Sequence, residues 1–283
     1  MRLVTYVAGG RTAVGVIKGD GVVDVAAHMP DAPKDLRGLL AGDWIARLSS
    51  LASAETDFGL SDVKFAPVVP NPEKIFLVLL NYESDRIAQG RPKLAFPHLM
   101  ARFADSQVGH RQPLVIPGAT QEFDFEGELA VVMGAGGWRI PVERALEHVA
   151  GYSCYNDCGA RDFMRHTRHF TAGKNFPASA GFGPWLTTVD EVPDLSKATL
   201  TTRLNGEVYQ TGTPADLTYP ISELIAYISS FTPLYPGDVI ATGSPGGAGH
   251  ARTPPRFLKP GDVVEVEIDG IGLLNNPCVA EAA

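Results

Sequence analysis

The stretch Phe123-Asp124-Phe125-Glu126-Gly127-Glu128-Leu129-Ala130-Val131-Val132 sets a carboxylate at every second position ahead of an apolar run. Alternate side chains of a β-strand share one face, so Asp124, Glu126 and Glu128 are expected to point the same way. Two carboxylates ~5 Å apart repel by about 3 kcal/mol at an effective dielectric of ~20. An apolar strand end is a poor place for that repulsion unless a cation offsets it. The plainer alternative is an edge strand whose acidic side faces water. Further acids follow in Tyr155-Asn156-Asp157 and Arg161-Asp162. Oxygen donors alone suit a hard cation, Mg²⁺ or Mn²⁺, rather than zinc. Cys154 and Cys158 flank Asp157 in an apolar context and read better as small core residues than as soft-metal ligands.

Such residues need strands to hold them. Leu3 to Val7, Thr12 to Ile17 and Val22 to Val25 read as strands separated by the hairpin signals Gly9-Gly10 and Asp20-Gly21. Leu36, Leu39, Leu40, Ala46 and Leu48 fall near helical spacing. The proline-rich Val68-Val69-Pro70-Asn71-Pro72 marks a boundary between a small N-terminal α+β domain, 1–70, and a main domain, 71–283. Lys74 to Leu80, Leu114 to Ile116 and Glu128 to Met133 are strand-like in the main domain, and the stretch around Arg102 and Asp105 is loop-like. Val142, Ala145, Leu146 and Val149 recur at i, i+3, i+4 and i+7 after Pro141 and predict a helix. Another follows Pro220, with Ile221, Leu224, Ile225 and Ile228 on one side. Val239-Ile240 and Val263 to Ile268 each follow a Pro-Gly-Asp turn. Many strands and few helices, with 30 glycines and 22 prolines for turns, predict an α+β fold, mainly β, built on a rolled or barrel-like mixed sheet.

Composition narrows the function. The 283 residues are 45% hydrophobic and 20% charged, enough apolar material for a sizeable core. A formal net charge of −8 argues against a nucleic-acid partner, which demands a basic face. Three cysteines without C-x-x-C spacing make a disulfide framework or a structural zinc site unexpected. No apolar run approaches the ~20 residues of a membrane span, and no apolar signal segment opens the chain. No membrane association is therefore expected, and a reducing, cytoplasmic setting is.

Taken together the motifs resemble the fumarylacetoacetate hydrolase family. The D-x-E-x-E-L-A strand motif stands at Asp124 to Ala130, and N-D-x-x-x-R-D at Asn156 to Asp162. Gly173-Lys174-Asn175-Phe176 and Gly183-Pro184-Trp185 follow, then Leu204-Asn205-Gly206, Gln210, Pro236 to Ile240, Thr242-Gly243-Ser244-Pro245 and Gly261 to Val266. The resemblance runs from about Lys74 to the C-terminus and implies a fumarylacetoacetase C-terminal-like fold. It also implies Glu126, Glu128 and Asp157 as the metal ligands, with Lys174 beside the metal to hold or polarise substrate. Arg161 is implied as a support of the ligand loop or a partner of a substrate carboxylate, against a structural ion pair with Asp162 or a neighbour as the bland alternative. Ser244 is a candidate for binding the substrate's acid group, and Tyr82 and Gln210 for lining the pocket. A homodimer acting on a small oxo acid is implied as well.

One segment departs from the pattern. Hydrolases of the family carry N-Y-x-x-H-x-x-E, whose His and Glu activate water, whereas this chain reads Asn81-Tyr82-Glu83-Ser84-Asp85-Arg86-Ile87-Ala88. Asp85 and Ala88 replace the base pair. Asp85, or one of His98, His110, His166 and His169, is a candidate substitute. The leading expectation is a metal-dependent hydrolase that cleaves a C–C bond in an acylpyruvate or related β-dioxo acid. The alternative is an oxo-acid decarboxylase, tautomerase or isomerase acting through a cation-stabilised enolate, because such reactions need proton delivery but no activated water.

Overall fold

The computed structural model describes residues 1–282. Sheet dominates, as expected for a mainly-β α+β chain: a mixed sheet of 12 strands, a five-stranded sheet and a two-stranded ladder. The large sheet stays open, its path running from Phe58–Gly59 at one end to His98–Arg102 at the other rather than closing into a barrel.

The chain begins with a meander, Arg2–Ala8, Arg11–Lys18 and Gly21–Asp24. Gly9 and Gly10 both have positive φ, +54° and +77°, the backbone that a tight two-residue hairpin turn requires. The second turn centres on Gly19-Asp20 rather than Asp20-Gly21, since Lys18 pairs directly with Gly21 and Gly19 carries the positive φ. Val25 leaves the strand to open a short helix, Val25–His28, capped by Asp24.

Arg2–Ala8 also pairs with Ala180–Thr188, so the sheet runs on past the proline-rich 68–72 stretch. One core cluster unites Leu3, Val14 and Val23 with Ala130, Val132, Phe182 and Leu186. A second packs the helix Ile221–Phe231 against the sheets through Ile221, Leu224, Ile225 and Ile228, the expected stripe. Each such aliphatic side chain contributes about 1.5–3 kcal/mol on burial.

Val142–His148 is not an α-helix but tighter 3₁₀ turns. Winding near three residues per turn brings Ala145 inward, while Val142 and Leu146 stay exposed and Val149 enters the next strand. The stretch taken as loop-like around Arg102 contains the strand His98–Arg102, which closes the edge of the large sheet.

The acidic segment is the element that matters most, and it is not one strand. Phe123–Asp124 pairs with Gly159–Ala160, Gly127–Met133 pairs with Val149–Asn156, and Phe125 and Glu126 lie in neither. Asp124 therefore does not share a face with Glu126 and Glu128. The opposing chain breaks at the same level, at Asp157. There the Asp157 amide donates to the Glu126 carbonyl at 2.7 Å and the Glu126 amide donates to Asn156 Oδ1 at 3.1 Å. Two residues far apart in sequence become cross-strand neighbours at a paired break.

Candidate metal centre

Glu126, Glu128 and Asp157 each offer a carboxylate oxygen, and the three lie within 4.8 Å of one another. At that spacing each pair of charges repels by about 3 kcal/mol at an effective dielectric of ~20. Two of the three are neutralised by built-in cations. The Lys174 ammonium, 1% exposed, donates to Glu126 Oε2, to Asp157 Oδ2 at 2.5 Å and to the Asp157 carbonyl at 2.6 Å. Arg161 donates to Glu126 Oε1 at 2.8 Å and to Asp124 Oδ2 at 2.9 Å. The buried Arg102 places two donors on Asp157 Oδ1, at 2.9 and 2.6 Å, and spends the rest on the Cys158 carbonyl and the Ser106 and Ser179 hydroxyls.

Among the described residues no cation forms an ion pair with Glu128, which feels Lys174 only at longer range. The one hydrogen bond to Glu128 comes from the Gly243 amide at 2.8 Å. Gly243 has φ +103°, and a Cβ there would lie 2.9 Å from both the Val78 carbonyl and Asn81 Cβ, so glycine is required for that amide to reach. Burial, then the charges of Asp157 and Glu126, push the Glu128 carboxyl well above the usual carboxylate range. Burial also acts to raise Glu126, but Arg161 and Lys174 outweigh it and bring that carboxyl down to about 2. Burial pulls Lys174 down, and Asp157 and Glu126 more than reverse it, so the ammonium stays charged. Three convergent oxygen donors with one uncompensated buried carboxylate are a fit for a hard divalent cation.

The cluster opens on a cavity of about 750 Å³, room for a small organic acid. Glu126, Glu128, Asp157, Lys174, Arg161, Asp85 and Ser244 all line it. Asp85 is half-buried on the short helix Glu83–Ala88, its carboxylate held by the Gln89 amide at 2.6 Å and packed against Gly246. Gln210 and Tyr82 are not among the lining residues. Gln210 is buried and pins the Ser244 hydroxyl and the Pro245 carbonyl, both at 2.7 Å, while accepting from the Gly127 amide. Tyr82 is buried with its hydroxyl unpartnered. Arg161 pairs with Asp124 and Glu126 and not with Asp162, which takes the Thr120 hydroxyl.

Of the four histidines considered, His98 lines the cavity, with its ring against Phe170. His166 and His169 are exposed. His110 is a core residue: burial and Arg111 lower it to about 4, and it accepts from the Asn275 amide. Cys154 and Cys158 are buried and free, with burial pushing the Cys154 thiol up to about 12, and neither belongs to the convergent carboxylate group.

The frame agrees with known proteins. A family model described as the fumarylacetoacetate hydrolase C-terminal matches residues 74–279. The chain belongs to that family. Among curated relatives, human mitochondrial oxaloacetate tautomerase FAHD2A is 37% identical over 289 residues, covering 99% of this chain and 92% of its own. Fumarylacetoacetate hydrolase from Exiguobacterium antarcticum is 31% identical with a TM-score of 0.83, covering 99% of this chain and 100% of its own. Maleylpyruvate hydrolase from Sphingobium sp. SYK-6, solved with manganese(II) and pyruvate, is 26% identical with a TM-score of 0.84 over 100% of both chains. A family of metal-dependent enzymes acting on oxo acids is thus the setting of this chain, and among the described residues no helix is long and apolar enough to cross a membrane.

Two members of the site escaped the motifs. Arg102 closes the apolar run Leu99-Met100-Ala101, and a lone arginine there is the signal of a buried partner. His250 lines the cavity from the loop after Ser244, and Gly-Ala-Gly-His carries no signal at all.

Proposed function

We propose that this chain is a divalent-metal-dependent enzyme that moves a proton beside the 2-oxo group of a small oxo acid, as in keto–enol tautomerisation. The observation that carries this reading is the uncompensated Glu128 in a carboxylate triad that shares its cavity with Lys174 while Asp85 and Ala88 stand where family hydrolases keep their water-activating pair. Glu126, Glu128 and Asp157 would hold Mg²⁺ or Mn²⁺. When bound, the cation withdraws electrons from the 2-oxo group and makes the neighbouring C–H more acidic.

The protein supplies the rest. Lys174, locked between Glu126 and Asp157, presents fixed positive charge to a substrate carboxylate or carbonyl at no reorganisation cost. Arg161 and Arg102 hold Glu126 and Asp157 in place. Ser244, oriented by Gln210, takes the substrate's acid group. The name of the human relative, an oxaloacetate tautomerase, supports this reading.

C–C hydrolysis of an acylpyruvate is the second reading, favoured by the full-length likeness to the manganese- and pyruvate-bound maleylpyruvate hydrolase. A homodimer in the cytoplasm belongs to the same proposal. Three free cysteines suit a reducing compartment, and the exposed rings Phe96 and Phe231, both packed on the half-buried Tyr227, suit a covered face.

The test is a panel of oxaloacetate, acylpyruvates and unsaturated oxo-dioates, each incubated with Mg²⁺ or Mn²⁺. Loss of enol absorbance without cleavage marks tautomerisation, acid plus pyruvate marks hydrolysis, and carbon dioxide marks decarboxylation. No metal-dependent turnover of any of them sinks the proposal.

A further inference from the structure

We propose that His250, held by Asp124, is the proton-transfer group of this cavity, acting from the loop after Ser244 rather than from the helix that lost the usual base pair. The inference rests on the oxo-acid chemistry proposed above.

His250 Nδ1 lies 2.8 Å from Asp124 Oδ2, and the imidazole is 47% exposed where it lines the cavity. Asp124 is fully buried and heavily donated to. It accepts from the amides of Phe125 (3.0 Å), Gly249 (2.9 Å) and His250 (3.1 Å), and from Arg161 Nε (2.9 Å). A carboxylate so placed only accepts, which makes Nδ1 the donor. Nε2 is then left with a lone pair when the ring is neutral, or with a proton to give when it is charged. That is the arrangement of a carboxylate-oriented histidine that carries protons.

The backbone is shaped for this pair. Gly249 has the Asp124 carboxylate 2.6 Å from where a Cβ would sit and the Arg256 carbonyl closer still, so no side chain fits between loop and acid. Asp124 is also linked through Arg161 to Glu126, which ties the imidazole to the carboxylate cluster by a chain of hydrogen bonds. The same loop packs Gly246 against Asp85.

Other groups in the cavity are less suited. The three ammonium protons of Lys174 are all engaged by Glu126 and Asp157. Glu122 is paired with Arg165, and Asp85 is tied to Gln89. The His98 ring packs against Phe170, and no carboxylate among the described residues is paired with it to fix its tautomer.

For a 2-oxo acid the step balances without a co-reactant. Nε2 takes a proton from C3, the C–H electron pair becomes the C2=C3 bond, and the carbonyl π pair moves to the C2 oxygen. Returning the proton to that oxygen gives the enol, and reversal gives the keto form.

The experiment compares wild type, His250→Gln, His250→Ala and Asp85→Asn, all loaded with Mn²⁺, by deuterium exchange at C3 of the oxo acid that wild type turns over. We expect His250→Gln to lose about 10²- to 10⁴-fold in exchange rate, with Mn²⁺ affinity by calorimetry unchanged. Added imidazole should restore part of the rate to His250→Ala. A His250→Gln rate equal to wild type overturns the assignment. So does a loss confined to Asp85→Asn, or a His250→Gln defect matched by lost Mn²⁺ binding. If wild type turns over no oxo acid, the proposed function falls, and ¹⁵N-correlated spectra of the metal-free protein still judge the histidine. A proton on Nδ1 with a free Nε2 supports the arrangement, and a proton on Nε2 alone overturns it.

Discussion

At the scale of single residues the site is an exercise in unequal compensation. Arg161, Arg102 and Lys174 neutralise Glu126 and Asp157, and Glu128 is left with a peptide amide. Because burial and two like charges raise its carboxyl above the usual carboxylate range, an incoming cation competes with a proton there. Mn²⁺ affinity should therefore climb as pH rises from the usual carboxylate range toward the raised value. Calorimetry in two buffers of different ionisation enthalpy should read a net release of protons on binding, larger below neutral pH than above it. The same asymmetry fixes the stability of chelator-treated protein. Glu128, whose folded value lies above the unfolded one, contributes fully below the usual range and loses that contribution as pH rises. Glu126, whose value is depressed, contributes above the usual range and loses it as pH falls toward about 2. Thermal melts across pH with and without metal separate the two limbs. Arg102→Lys, which forfeits the two-pronged hold on Asp157, should weaken Mn²⁺ binding about 10- to 100-fold while leaving the fold intact. The convergent acids Glu126, Glu128 and Asp157 and their neighbour Lys174 were legible because they sit in short contiguous motifs. Arg102 and His250 were not, because each acquires meaning only from a partner 55 or 126 residues away.

At the scale of elements, period-2 patterning located the strands well, and the helix after Pro220 matched its apolar stripe. It failed where a rule of repetition met an irregularity. The alternation of Asp124, Glu126 and Glu128 predicts one face, yet the backbone breaks at Phe125-Glu126 opposite the break at Asp157, and the first acid goes to Arg161 and His250 instead. Likewise Val142 to Val149 has helical spacing but winds as 3₁₀ turns into a strand. Such breaks are set by the opposing strand, which a one-dimensional pattern does not contain. The turn at Gly243 tests how far this local geometry controls the site. Gly243→Ala forces a Cβ into the Val78 carbonyl at an unfavourable φ, at a cost of about 1–3 kcal/mol. It should also remove the amide from Glu128, so the variant should show both a lowered melting temperature and poorer metal uptake. A lowered melting temperature with unaltered uptake would mean that the amide does not matter to the carboxylate.

At the scale of the whole molecule, cation and fold are linked. Mn²⁺ at a hundred times its Kd should stabilise the protein by about 2.7 kcal/mol, read as a melting shift that EDTA reverses. The sheet adds a further link. The opening strand Arg2–Ala8 is zipped to Ala180–Thr188, which lies beside Val149–Asn156, the strand that delivers Asp157. Anyone trimming the gene to the portion that matches the family model would strip a neighbour from Ala180–Thr188 and lay Phe182 and Leu186 open to water. An orphaned border of that kind invites pairing between molecules, so the shortened product should collect in inclusion bodies while the intact chain stays in the supernatant.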